Sequence, residues 1–200
     1  FMFSVAATPP WSLWDGKDYK NMSDQDEAKF RMIEYHKWKF KAKIFSPLAP
    51  LTVKRTPVLM TRVEYGFLGS YNKYKKSPFE TFYMGGDGMS GYSSTYATET
   101  IGLRGYENGS IAGNGGYNSY GYAYSRLSME LRYPFLLEPS STIYGLVFVE
   151  AGNAWRDLKD FNPFQLKRSA GVGVRIFLPM IGLMGIDWAY GFDRPDGYDQ

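Results

Sequence analysis

The sequence predicts an all-β chain, a portion of a transmembrane antiparallel β-barrel, and three observations predict it. Seven segments alternate apolar and polar residues with a period of two, the period of a strand with unlike faces. The connections between these segments alternate long and short, the rhythm of outer-membrane barrels with short turns on the periplasmic side. Aromatic residues are dense, with 17 Tyr, 14 Phe and 5 Trp in 200 residues, which suits girdles at two membrane interfaces. No run of 18 or more apolar residues occurs, which excludes a transmembrane helix, but a barrel strand needs only about ten alternating residues.

The elements follow in order. Residues 1–8 read as the end of a strand, closed by Pro9-Pro10, and a long polar loop runs from 9 to 33. A short helix is expected within it around 23–32, with Ser23 as a possible cap and Glu27 in the first turn. Residues 34–45 set His36, Trp38, Phe40, Ala42 and Ile44 against Lys37, Lys39, Lys41 and Lys43; as a helix the same residues would scatter around the axis. A turn at 46–50 leads to a strand over 58–67, with Arg62 and Glu64 on its polar side. A second long loop, 69–119, is too rich in Gly, Tyr, Ser and Asn to be expected to form a core. The strand over 121–133 points Ala123, Ser125, Leu127, Met129, Leu131 and Tyr133 outward and Arg126, Glu130 and Arg132 inward. A short connection over 134–141 precedes the strand 143–155, where Phe148, Glu150 and Gly152 share the inward register. A loop over 156–167, a strand over 168–178 carrying Arg175 inward, a tight turn and a strand over 183–193 with Asp187 inward complete the series.

Alternation alone does not separate a barrel from a soluble sandwich, in which a four-lysine face would be the solvated one. The loop rhythm and the aromatic strand ends favour the membrane. One set of faces then carries charges of both signs, as suits a hydrated lumen: Lys37, Lys39, Lys41, Lys43, Arg62, Glu64, Arg126, Arg132, Arg175 and Asp187. The opposite faces are almost free of charge, which is costly in lipid. Cys is absent and the net charge is only +3, so neither thiolate chemistry nor nucleic-acid binding is indicated. The chain opens at Phe1 in apparent mid-strand and is expected to be a piece of a longer protein.

Within the 69–119 loop, Arg104 is held between turn-formers in Gly102-Leu103-Arg104-Gly105-Tyr106. A loop this long inside a compact domain is usually functional or disordered, and a solvated arginine is the plain alternative. Should the loop fold back into the lumen, Arg104 would meet Glu130, Glu150 or both, through a guanidinium fork that lysine cannot reproduce.

Leu103-Arg104-Gly105-Tyr106 resembles the Val/Leu-Arg-Gly-Phe/Tyr motif in the lumen-inserted loop of the BamA family of outer-membrane assembly factors. Tyr83-Met84-Gly85-Gly86 resembles the aromatic-x-Gly-Gly stretch before that motif, and Ser128-Met129-Glu130-Leu131 the Ser-Leu-Glu strand after it. Glu150-Ala151-Gly152-Asn153-Ala154-Trp155 resembles the family's Asp-x-Gly-x-x-Trp strand end, with Glu in place of Asp. Ser169-Ala170-Gly171-Val172-Gly173 fits the next strand. An insertion over 87–100 departs from the pattern, and Asp15-Gly16-Lys17-Asp18-Tyr19 resembles versions found in the Bacteroidetes branch. The resemblance implies that residues 1–200 form one partial barrel domain, about seven strands of roughly sixteen. The periplasmic domains and last strand would lie outside this chain. It also implies a loop-brace motif at Leu103, Arg104, Gly105 and Tyr106, residence in the bacterial outer membrane, and no cofactor or metal. The implied partners are unfolded outer-membrane proteins, accessory lipoproteins and other assembly-complex subunits, membrane lipid and lipopolysaccharide.

Three functions compete at this stage. An assembly factor would fold and insert other barrels by strand-edge templating, without covalent chemistry. A passive pore or receptor barrel would use the four lysines to select anions. A hydrolase is disfavoured, because Gly-x-Ser-x-Gly and Cys are absent and the single His36 lies on the apolar face.

Overall fold

The computed structural model describes residues 1–194 apart from 24–26, 51, 53–54, 88–97, 112–119 and 139. Seven antiparallel strands form one sheet: β1 (Met2–Ala7), β2 (His36–Pro47), β3 (Val58–Gly69), β6 (Ala123–Glu138), β7 (Ser141–Trp155), β8 (Lys167–Leu178) and β9 (Gly182–Gly191). Each is paired with its neighbour in chain order, so β1 and β9 are the two edges of the sheet in this chain. Strands this regular follow from the alternation. A one-residue slip would exchange every lysine of β2 for a residue of the opposite face, so the registers Lys41↔Glu64 and Lys43↔Arg62 are strongly specified.

Between β3 and β6 the chain leaves the sheet and returns. It forms a small parallel pair, β4 (Phe82–Met84) with β5 (Glu99–Ile101), and isolated bridges Met84↔Ile111 and Gly86↔Leu103. The same excursion supplies most of the core. Phe82, Met84, Ile101, Leu103, Tyr106 and Ile111 pack with Leu68, Tyr124 and Ala154 of the sheet. The expectation that this segment could not form a core is therefore overturned. Its apolar residues are few, but turns at Gly85, Gly86 and Gly105, all at positive φ, fold them onto one another and onto a wall that lends three more.

The sheet has two unlike faces. On one, the excursion covers Lys37, Glu64, Glu130 and Glu150, all buried. On the other, Trp38, Phe40, Ile44, Met129, Leu131, Val147, Val149, Val172, Ile186 and Trp188 stand exposed. An uncharged apolar face on this scale, carried by five of the seven strands, is what lipid would cover. No helix among the described residues is long and apolar enough to cross a membrane.

Smaller differences from the sequence reading have local causes. β6 continues past Tyr133 to Glu138, because a register shift between Pro134 and Leu136 accommodates Phe135 and keeps Pro134 within the ladder. The first loop holds α1 (Trp11–Trp14) and α2 (Glu27–Phe30); the expected helix is the second of these, one turn long, and its cap region at 24–26 lies outside the described residues. The insertion at 87–100 lies mostly outside them too.

Val149 sits near the middle of β7 on the exposed apolar face, between Met129 and Ala170. Val149→Lys in the full-length protein is expected to lose about 2–4 kcal/mol of stability in lipid vesicles, measured by urea unfolding. An unchanged unfolding midpoint would show that this face is not in lipid.

Candidate loop-anchoring site

Arg104 reaches the inner wall at mid-height. Glu150 lies five residues before the end of β7, which is about 17 Å along an extended strand. The guanidinium makes three ion pairs. Nη2 donates to Glu130 Oε1 at 2.5 Å and to Glu150 Oε1 at 2.8 Å, and Nη1 donates to Asp187 Oδ2 at 3.3 Å. Its backbone N–H donates to the other oxygen of Glu150 at 2.9 Å. The guanidinium carbon lies 3.5 Å from the centre of the Phe148 ring, a face-on cation–π contact. Only 11% of the Arg104 side chain is exposed, and none of Glu150's. Burial works against its charge, but the hydrogen bonds and charges of Glu150 and Glu130 outweigh this and raise the arginine's pKa.

The carboxylates are themselves held by further arginines. Arg126 donates to Glu150 at 2.9 Å and lies 3.9 Å from Glu64. Ser128 Oγ donates to Glu150 at 3.0 Å. Arg132 donates through Nε and Nη2 to one oxygen of Glu130, at 2.9 and 2.6 Å. Arg175 grips Asp187 with two parallel bonds of 2.7 and 2.6 Å. The expected two-bond fork therefore belongs to Arg175 and Asp187. Arg104 instead divides its nitrogens among three carboxylates on β6, β7 and β9.

Glycines let the backbone come close enough for this. Gly105 has φ +90°, and a Cβ there would lie 2.9 Å from the Tyr190 carbonyl carbon and 3.0 Å from both Gly191 N and Ser169 Cβ. On β8, Gly171 leaves room for the Phe148 ring and Gly173 for the Asp187 carboxylate. Gly152 does the same for Met84 and Leu103. The Tyr106 hydroxyl donates to the Arg168 carbonyl at 2.6 Å, and Leu103 is fully buried. Gly86 N donates to the Tyr106 carbonyl at 2.9 Å, so the Gly-Gly and Arg-Gly motifs bind each other directly.

A second anchor of opposite polarity sits on β2. Glu99 accepts from Lys37 at 3.1 Å and Lys39 at 3.0 Å and lies 3.6 Å from Lys41. Lys37 also donates to Glu80 at 3.0 Å and lies 4.8 Å from the centre of the Phe82 ring. Burial disfavours the charged form of Glu99, but the Lys39 hydrogen bond and the Lys37 charge prevail and hold its pKa below the usual value.

Thus Arg104, Glu130, Glu150, Asp187, Arg126, Arg132, Arg175 and Glu64 come together, and Lys37, Lys39 and Lys41 form a separate group. Lys43 and Arg62 face each other across β2 and β3 on the same side of the sheet. Neither has a carboxylate within ion-pair distance among the described residues. His36 lies at the rim, where its Nδ1 accepts from Trp38 Nε1 at 2.9 Å. No group of three or more metal-ligating side chains occurs among the described residues. Phe148, Glu80 and Glu99 are participants that the sequence reading did not single out. Phe148 was visible as the residue two before Glu150 on the inward register. Glu99 carried no local signal.

Residues 28–200 match the Omp85 superfamily domain. The chain belongs to that superfamily. Among solved structures it is similar to BamA from Haemophilus ducreyi lacking POTRA domains 1–3, at 20% identity and a TM-score of 0.57, a likeness of fold. The match covers 80% of this chain and 32% of that one, so the chain spans about a third of that structure's length. No curated protein matches. The Omp85 assignment agrees with the seven-stranded antiparallel sheet of this chain.

Four outcomes test the anchors. Arg104→Ala in the full-length protein is expected to weaken loop seating by about 1–3 kcal/mol, read as faster proteolysis of the 69–119 segment. Arg104→Lys should restore this only in part, since a point charge cannot hold three carboxylates. Gly105→Ala should give a similar loosening, about 1–3 kcal/mol, from backbone strain and from crowding against Ser169, Tyr190 and Gly191. Because the Glu99 pKa is lower in the folded state, its contribution is full above the ordinary glutamate range and disappears as pH falls through the lowered value. Acidification below about pH 4 should therefore loosen the loop less in Glu99→Gln than in the parent protein, by the same proteolysis assay.

Proposed function

We propose that this chain is part of an outer-membrane β-barrel that folds and inserts other outer-membrane proteins, without covalent chemistry and without a cofactor. The observation that carries the reading is the anchored excursion: Arg104 is tied at mid-depth to β6, β7 and β9, while Glu99 is tied to β2. A segment fixed at both sides of the wall serves as a plug and brace. It stiffens the barrel wall from within, while a seam between barrel strands supplies the N–H and C=O groups that template an incoming strand. The partners of such a barrel are unfolded outer-membrane proteins, the accessory lipoproteins and other subunits of an assembly complex, and the surrounding lipid and lipopolysaccharide.

The same contacts weigh against an anion-selective pore. Lys37, Lys39 and Lys41 are engaged by Glu80 and Glu99, which offsets part of the charge on the row of lysines such a pore would use.

Reconstitution distinguishes the readings. Full-length protein in liposomes is expected to accelerate folding of a small unfolded barrel substrate and to conduct little ion current. Arg104→Ala should slow that folding several-fold. Steady anion-selective conductance with no effect on substrate folding would replace the assembly reading with the pore.

A further inference from the structure

The first long loop opens with the one-turn helix α1, Trp11-Ser12-Leu13-Trp14, whose apolar side chains point away from the protein: Leu13 is 64% exposed and Trp14 68%. This turn is firmly held. Ser12 donates to the buried Glu34 twice, from its backbone N–H at 2.7 Å and from its hydroxyl at 2.5 Å. Lys75, also buried, lies 3.8 Å from the same carboxylate. Trp11 and Trp14 pack edge to face with ring centres 5.9 Å apart. A buried carboxylate thus fixes two large apolar side chains in an exposed position.

The β1–β2 ladder places α1. Ala7 pairs with His36, and Thr8 carries the ladder on by donating its N–H to the Tyr35 carbonyl at 3.0 Å. Glu34 comes next, and strand alternation sets it on the side of His36, Trp38 and Phe40, the outward apolar face. Rings gather at this end of that face. Trp38 Nε1 donates to His36 at 2.9 Å, and the Trp38 ring centre lies 6.0 Å from that of Phe3. Aromatic rings closing an apolar outer face mark the headgroup level of a bilayer. Glu34 stands two residues beyond His36, roughly 7 Å along an extended chain, so α1 is tethered just past that level on the lipid side of the wall.

We propose that α1 is a lipid anchor, inserting Leu13 and Trp14 into the headgroup boundary of the leaflet at the long-loop end of the barrel. An indole suits that depth, with an apolar ring for the acyl boundary and an N–H for the wet side. The apolar surface continues onto the far limb of the loop. Met32, 51% exposed, lines a cavity of about 370 Å³ together with Trp11 and Trp14, and the exposed Asp15, Lys17 and Arg31 border it. Apolar side chains bordered by charged ones are the profile of an element lying in the plane of an interface. Continuity decides the occupant: α1 prolongs the side of the wall that lipid covers, directly beyond the rings of Phe3 and Trp38. The inference rests on that face being in lipid and is independent of whether the barrel assembles other proteins.

Spin labels on the full-length protein in phosphatidylcholine–phosphatidylglycerol vesicles test this. They are placed singly at Leu13→Cys, at Ile186→Cys on the exposed apolar face of β9, and at Lys159→Cys in the loop after β7, in protein otherwise free of cysteine. Each label reports collisions with oxygen, which partitions into lipid, and with a nickel chelate, which stays in water. The oxygen-to-nickel ratio at Leu13 is expected to exceed that at Lys159 on the order of ten-fold and to fall below that at Ile186, as befits a shallow depth. Ser12→Ala, which removes one of the bonds to Glu34, should lower the Leu13 ratio and leave that of Ile186 unchanged. An unchanged proteolysis pattern of the 69–119 loop is the folding control. A Leu13 label as open to nickel as that at Lys159, beside a lipid-exposed Ile186, would overturn the anchor alone. A Leu13 label closed to both reagents would reveal a protein partner or a second copy there and overturn it too. An Ile186 label open to nickel would overturn the lipid reading of the whole face, and the anchor with it.

Discussion

Removing an arginine from water costs on the order of several kcal/mol, so Arg104 can stay at mid-wall only because protein groups replace its hydration. Three carboxylates and the face of Phe148 do so together, and Arg104's own backbone N–H donates to Glu150 and holds that carboxylate in place. Those carboxylates could not sit together unaided, since like charges at this spacing repel. Arg126, Arg132 and Arg175 stand between and behind them, each bound to a different one. The inner wall is thus a mosaic of alternating charge with Arg104 at its centre, and the positions of β6 through β9 relative to one another are all felt at that point.

The second consequence is for the core. A barrel strand has one face for lipid and one for the interior, so a sheet alone buries little. Here the interior face gains an apolar filling from the chain that crosses it: Phe82, Met84, Ile101, Leu103 and Ile111 lie on Leu68, Tyr124 and Ala154. Seating the loop and burying the core are therefore one event. The charge anchors at Arg104 and Glu99 flank this filling rather than compete with it.

The seven strands were legible because each side chain's face is a local property, readable from alternate residues, and the registers left no other arrangement with lysines and aromatics kept apart. Glu130 and Glu150 as Arg104's partners followed from that register and from the family resemblance. What was not legible depended on how distant stretches meet. Asp187 was placed on the correct face, but β9 joins the cluster only once β8 has turned it there. The core within 69–119 was hidden by composition: its apolar residues are scattered among glycines, and it is the positive-φ turns that gather them. Glu99 became an anchor only through a parallel pairing of β5 with β4, which no local pattern announces.

The separation of Arg104 from its partners has a kinetic meaning. They lie 26, 46 and 83 residues further along the chain. Contacts of such span raise contact order and form late, after the cost of closing large loops has been met. The cluster can close only when β6, β7 and β9 already stand in the correct register, since a slip of one residue in any of them would turn its carboxylate to the other face. Arg104 therefore acts as a checkpoint on strand order: a mispaired wall leaves a buried cation without its counter-charges, and such a wall reopens more readily than it locks.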